Sequence, residues 1–279
     1  MGAVFQEFAE GLNHPEGVCW NPFDGRVYAG GEGGEIYAVT LEGEVEVVAV
    51  TGGSMLGLAA DGRGRIYACD EGNGEVVRLD PATGAVEVYA RGPGGAGMDT
   101  PNMLAFDGAG RCYVTCSGED GDASILRVDP DRRVTVWTTA VPAYPNGICL
   151  DPGGEAMVVV ESHRPALVRV PIGSDGNAGV PRVIALLPDT EPDGVTLGAD
   201  GAYYVTLYRP DGVVRIDPAT GDVEPVVQDP LAHVLDAPTN LAFVGSSLDR
   251  AVVANVGDRF LSIGDVGTTG AALVYPEVP

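Results

Sequence analysis

Apolar and polar positions alternate along this chain in short runs, each broken by a cluster of glycine, aspartate or asparagine. Period-two alternation bounded by turn residues predicts strands with one buried face, and nowhere does a helical period of useful length replace it. Six segments can be laid under one another: "PEGVCWNPFDGRVYAG", "LGLAADGRGRIYACD", "PNMLAFDGAGRCYVTC", "PNGICLDPGGEAMVVV", "PDGVTLGADGAYYVTL" and "PTNLAFVGSSLDRAVVA". Each reads as a strand, a Gly/Asp turn and a second strand.

The residue after the proline marks a common slot, filled by Glu16, Leu56, Asn102, Asn146, Asp193 and Thr239 at intervals of 40, 46, 44, 47 and 46 residues. In the second repeat Met55 replaces the proline, and Gly57 keeps the register of Gly17. A recurrence of 40–50 residues with several strands in each unit predicts a β-propeller. A second echo supplies the outer strands: "GEVVRLDPATGAVEVYA", "ASILRVDPDRRVTVWTT" and "GVVRIDPATGDVEPVVQ" are hairpins about an Asp-Pro turn, and "ALVRVPIGSDGNAGVPRVIA" is the same hairpin with a longer tip. The expected architecture is all-β: one six-bladed propeller domain over residues 1–279, with four antiparallel strands per blade.

Composition agrees, because 41 glycines and 21 prolines spread along 279 residues suit many short strands and tight turns. Segments such as Asp80–Gly84 are read as turns, and Tyr67, Tyr113 and Tyr204 as packing between blades. "GGEGGE" precedes a strand rather than a helix and has no following lysine, so it is not a phosphate loop.

The formal net charge of −24 narrows the partners. So acidic a surface repels phosphate backbones and anionic lipid, which argues against nucleic acid and membrane and favours cations near a cleft. No apolar run is long enough to span a bilayer, and "MGAVFQEFAE" lacks the parts of a signal peptide. Five cysteines, an odd number placed inside strand-like runs, fit reduced thiols in a cytoplasmic protein. Cys112 and Cys116 have no second pair for a zinc site. A monomer or weak homodimer acting on a small molecule is expected.

The slots carry the candidate chemistry. In a propeller the innermost strands surround one axis, so equivalent positions converge. Glu16, Asn102, Asn146 and Asp193 would then present two carboxylates and two amide oxygens to one point, a set suited to a hard divalent cation. The competing reading is that "PNG" and "PDG" are simply favoured turn dipeptides. Four donors in register weigh against it.

"HPEGVCW" resembles the opening motif of the SMP-30/gluconolactonase family, and "TPNMLAFDGAGRCYV", "YPNGICLDP" and "EPDGVTLGADGAYYV" are similar to its later signatures. The resemblance covers essentially the whole chain. It implies a six-bladed propeller that opens lactones with one divalent metal, held by Glu16, Asn146 and Asp193, with Asn102 facing metal or substrate. Sugar-lactone members often carry an arginine two residues before the equivalent of Asn102 and an aspartate directly after it. Here Thr100 and Met103 stand there, and Met103 with Leu56 points to a less polar substrate.

A cation would polarise the ester carbonyl, and Asp193 would act as general base on water. An oxygen-only set favours calcium or manganese, with zinc and iron as other candidates. His14 is a candidate support for Glu16, or an ordinary turn histidine. Rim loops are read at Arg91–Thr100, Cys116–Ala123, Glu161–Ala166 and Leu207–Gly212, with Glu119 and Arg209 as polar substrate contacts. His163 and His233 are read as solvated loop residues. No G-x-S-x-G exists, so nucleophilic serine chemistry is not expected. Two alternatives stay open: the same architecture acting on a phosphotriester or epoxide, and a non-catalytic small-molecule-binding propeller with a structural cation.

Overall fold

A computed structural model describes residues 4–118 and 122–279. Six four-stranded antiparallel sheets are arranged as blades. Blade 1 holds β2 (Val18–Asn21), β3 (Arg26–Gly30), β4 (Glu35–Val39) and β5 (Val45–Val50); blade 2 holds β6 (Met55–Ala60), β7 (Ile66–Asp70), β8 (Glu75–Asp80) and β9 (Ala85–Ala90). Blade 3 is β10 (Pro101–Phe106), β11 (Cys112–Cys116), β12 (Ser124–Val128) and β13 (Val134–Thr138). Blade 4 is β14 (Pro145–Leu150), β15 (Ala156–Glu161), β16 (Ala166–Pro171) and β17 (Arg182–Leu186). Blade 5 is β18 (Glu191–Leu197), β19 (Tyr203–Arg209), β20 (Gly212–Ile216) and β21 (Val223–Gln228). Blade 6 joins β22 (Pro238–Val244), β23 (Arg250–Asn255) and β24 (Phe260–Gly264) to β1 (Phe5–Glu10), the first strand of the chain.

The expected six-bladed fold is therefore present, with one addition that the repeats did not reveal. The sixth repeat has three strands of its own, and β1 supplies the fourth, with Phe5 opposite Gly264. The two ends of the repeat array are thereby tied together, and the ring closes. Among the described residues the only helical turn is a 3₁₀ turn at Pro93–Gly95, and no helix is long and apolar enough to cross a membrane.

The core lies between blades. Val18, Trp20 and Val27 of blade 1 pack on Ala242, Val252 and Leu261 of blade 6, and Tyr28 and Ile36 pack on Leu58 and Ile66 of blade 2. The other four interfaces repeat the arrangement. This explains why inner strands read as nearly continuous apolar runs, whereas outer strands such as β9 are largely exposed. Asp-Pro turns form as expected, with Gly84 N–H donating to Asp80 O over 2.8 Å and Gly221 N–H to Asp217 O over 2.8 Å.

The recurrent Asp–Gly turn after the inner strand has its own structural role. The Asp61 carboxylate accepts from Arg63 and Arg65 N–H and from the Tyr67 hydroxyl, and Asp107 accepts in the same way from Ala109, Arg111 and Tyr113. Tyr67 and Tyr113 are fully buried. These phenols anchor their hairpins and are not ligands.

One end of the central channel is covered by the chain beyond β24. Ala271 N–H donates to Leu197 O, the Tyr275 hydroxyl to Trp20 O, and Gly62 N–H to Pro276 O at 2.8 Å. The space above this strap, about 470 Å³, is lined mainly by apolar side chains including Leu58, Leu104, Phe106 and Phe243. The opposite end of the channel carries the slots.

Candidate metal centre

The slot residues sit where the inner strands break register. In β10, Pro101 pairs with Cys116 and Leu104 with Val114, so three steps on β10 match two on β11. The same extra residue occurs at Leu56–Gly57, Asn146–Gly147, Asp193–Gly194 and Thr239–Asn240. A bulge bends a strand and re-aims the side chains at the break. Here it recurs in register around five blades. Glu16 lies just before β2, held by Glu16 N–H donating to Gly30 O at 3.2 Å.

The glycine that follows the slot is explained by crowding. A Cβ on Gly147 would stand 2.6 Å from Asp193 O, one on Gly194 2.5 Å from Thr239 O, and one on Gly17 2.0 Å from Leu56 O. Inner strands of neighbouring blades thus touch backbone to backbone at the slots, which only glycine permits. "PNG" and "PDG" are strand segments here rather than turns. Hydroxyls on or just after the second strands lock the arrangement: Thr115 Oγ1 donates to Asn146 O at 2.8 Å, Ser162 Oγ to Pro192 O at 2.6 Å, and Thr206 Oγ1 to Thr239 O at 2.5 Å.

Polar satisfaction separates these slots from the other acids. Buried Asp61, Glu75, Asp107, Asp151 and Asp211 each meet an arginine within 2.9 Å, and Asp70 and Asp229 accept from backbone N–H groups. By contrast Glu16 Oε2, Asn102 Oδ1, Asn146 Oδ1 and Asp193 Oδ1 are buried with no hydrogen-bond partner among the described residues. The other three such atoms are Tyr89 OH, Arg127 Nε and Asn240 Nδ2. A buried acceptor without a donor costs about 1–3 kcal/mol, more when charged. All four oxygen slots carry that cost, and the two remaining slots, Leu56 and Thr239, do not.

Electrostatics places the two carboxylates within reach of each other. Burial, then the charge of Asp193, holds the Glu16 carboxyl well above the usual carboxylate range. Burial pushes Asp193 up to about 8, with the Asn146 amide opposing the rise. Burial also raises the Tyr144 phenol, and the charges of Asp193 and Glu16 add to it. Asn146 Nδ2 donates to Ser162 Oγ at 3.2 Å, which leaves its Oδ1 as the free atom. The four oxygens present acceptors and no donor, a set that fits a cation and fits no anion. No cluster of three or more His, Cys, Asp or Glu exists among the described residues, as expected where two of the four oxygens are amides.

The remaining sequence candidates are dispersed. His14 Nδ1 lies 2.9 Å from Val256 O, so its ring braces the loop before Glu16. Leu56 packs against the cluster between blades 2 and 3. Met103 is turned toward Gly57 and lines the apolar channel below the slots. Thr100 Oγ1 donates to Asp99 Oδ1 at 3.4 Å. Arg209 is exposed and paired with Asp211 at 2.8 Å. Glu119 lies outside the described residues. The cleft that borders Asn146 and Asp193 is instead walled by Tyr144, Ser162, His163 and Tyr208. Ser162, His163 and Tyr208 fall in the Glu161–Ala166 and Leu207–Gly212 loops expected at the rim. Tyr144 carries a signal only the backbone shows: with His14, Thr100 and Ala237 it precedes a proline in the left-handed region, at φ of 60°, 46°, 50° and 48° respectively. A non-glycine residue held there is strained, more so before proline.

Comparison with known proteins follows the same outline. A gluconolactonase of Zymomonas mobilis is 24% identical over 178 residues, 53% of this chain and 49% of its own length, so the chain spans about half of that relative. A gluconolactonase of Xanthomonas campestris superposes with a TM-score of 0.81 at 19% identity, covering 94% of this chain and 89% of its own. The calcium-binding protein regucalcin of Agrobacterium tumefaciens superposes with a TM-score of 0.78 at 20% identity, over 100% of this chain and 97% of its own. At such identities the superpositions show the shared fold. The family model described as the SMP-30/Gluconolactonase/LRE-like region matches residues 14–256, which run from the histidine before Glu16 to the carbonyl that braces it. This chain belongs to that family.

Proposed function

We propose that the protein is a divalent-cation-dependent lactonase in which Glu16, Asn146 and Asp193 hold the ion and Asn102 faces the ion or the substrate. The observation that carries this reading is the set of four register-matched, buried oxygens without donors. A bound cation there would supply Lewis acidity toward the ester carbonyl and stabilise the developing oxyanion. The gluconolactonase relatives support the reaction class, and the regucalcin likeness together with the all-oxygen set supports calcium ahead of manganese, zinc or iron.

The chain's own part is proton handling and positioning. Asp193 accepts a proton from the water that attacks the carbonyl carbon. As the acyl–oxygen bond of the ring breaks, the proton is returned to the leaving ring oxygen, giving a hydroxy acid. Asn102 donates from its amide to a substrate oxygen. Ser162 fixes Asn146 through the 3.2 Å hydrogen bond, and the glycine-permitted contacts between inner strands fix the separation of the slots.

The test is proton release on a panel of sugar and aliphatic lactones, with chelated protein and with each metal restored, and with Asp193→Ala alongside. Metal-restored hydrolysis that disappears in Asp193→Ala is the expected result. Tight cation binding without turnover of any lactone would overturn the lactonase reading and favour a binding propeller. Turnover of a phosphotriester or epoxide in its place would move the reaction class.

A further inference from the structure

A cleft of about 500 Å³ opens between blades 4 and 5, and Asn146 and Asp193 form part of its wall. The rest of the wall carries three rings. The Tyr144 and His163 rings lie against each other, centroids 4.5 Å apart and planes inclined by 31°. Tyr208 is backed by the Arg209 guanidinium, 4.8 Å from its ring centroid, and Arg209 is itself tied to Asp211. Pro165 and Pro192 complete the apolar surface.

Two hydroxyls of the cleft are already engaged. Ser162 Oγ donates to Pro192 O and accepts from Asn146, and Thr190 Oγ1 donates to Leu187 O at 2.7 Å. No lysine or arginine lines the cleft, whereas Glu191 does. A carboxylate or phosphate substituent would meet repulsion there.

We propose, resting on the lactonase reading above, that this cleft binds a neutral, flat apolar substituent of the ester, aromatic or unsaturated, between the Tyr144–His163 stack and Tyr208. The preferred substrate class is then an aryl-bearing or aryl-fused lactone rather than a sugar lactone. Aromatic contact of this kind adds to the gain from the area buried. With burial of the substituent added, discrimination of about 10- to 100-fold over the unsubstituted ring is expected.

The experiment compares kcat/KM for dihydrocoumarin, a phenyl-substituted γ-butyrolactone, plain γ-butyrolactone and glucono-δ-lactone in the metal-loaded enzyme. It is repeated in Tyr208→Ala, Tyr208→Phe and His163→Ala. The expected result is a preference for the aryl lactones of at least tenfold, which Tyr208→Phe keeps and which Tyr208→Ala and His163→Ala each reduce several-fold. Equal kcat/KM for aryl and plain lactones, or a preference untouched by Tyr208→Ala, would overturn the proposal. Calorimetric Kd values of the phenyl-substituted and plain γ-lactams are measured in parallel. A phenyl preference in binding that Tyr208→Ala removes, found without hydrolysis of any lactone, would keep the cleft assignment and sink the lactonase reading alone. No phenyl preference in binding would sink the cleft assignment.

Discussion

Replacing Asp193 with asparagine in metal-free protein should stabilise the fold, although it removes a residue at the heart of the site. An unfolded aspartate ionises near 3.8, and burial moves Asp193 to about 8 in the folded chain. Between those pH values the folded protein holds a proton that the unfolded chain has lost, so stability falls as pH rises through this window. Each pKa unit is worth about 1.4 kcal/mol, which sets a ceiling of about 6 kcal/mol at pH above 8. Water entry and relaxation reduce that ceiling, and a gain of about 3 kcal/mol for Asp193→Asn is a reasonable expectation. For a domain of this size it corresponds to about 6–12 °C in Tm. Loss of the Asp193 charge also relieves Glu16, whose carboxyl is raised partly by that charge.

The assay is thermal unfolding in excess chelator at pH 5 and pH 8.5, then with calcium added. The variant should gain over wild type at pH 8.5 and much less at pH 5. Calcium at 100 times its Kd should add about 2.7 kcal/mol to the wild type and little to the variant. If Asp193→Asn instead destabilises the chelated protein at pH 8.5, the carboxylate is satisfied by the protein itself, and the reasoning from unpartnered oxygens fails.

Three further outcomes follow from the geometry. Gly147→Ala places a Cβ 2.6 Å from Asp193 O and 2.7 Å from Gly194 Cα, so it should cost about 1–3 kcal/mol in chemical denaturation and weaken calcium binding measured by titration. Thr206→Val removes the hydroxyl that donates to Thr239 O and should lower stability by about 1–2 kcal/mol without abolishing calcium binding. The five free cysteines are mostly buried, and burial raises the thiols of Cys19, Cys69, Cys112, Cys116 and Cys149. Native protein at pH 8 should therefore react with a thiol reagent at far below one equivalent in minutes, and with five equivalents after denaturation; rapid native labelling would show that the blade interfaces open.

Much of this was legible in the residues because a propeller is a repeat. A period of 40–47 residues fixed the six blades, and matching Glu16, Asn102, Asn146 and Asp193 in one register singled out the four oxygens that the structure leaves without donors. The recurring Asp-Pro hairpins and the buried tyrosines were readable for the same reason: local turn chemistry and period-two burial are written in neighbouring residues. Rim residues were harder, since they occur once each. Met103 and Leu56 suggested an apolar substrate surface, yet Met103 faces Gly57 and the lower channel, and the apolar wall beside Asp193 comes from Tyr144, His163 and Tyr208.

What the sequence by itself determined is what repeats or lies close along the chain: strand pattern, turns, blade number and the slot register. Only the tertiary structure decided what depends on distant segments meeting. β1 closes blade 6 across more than 250 residues of chain, because a ring joins its ends through space. The glycines after the slots proved to be backbone contacts between blades rather than turns, since crowding by Leu56, Asp193 and Thr239 is invisible until the inner strands converge. The same convergence buries two carboxylates within reach of each other's charge, a proximity absent from any local stretch and one that a cation would relieve.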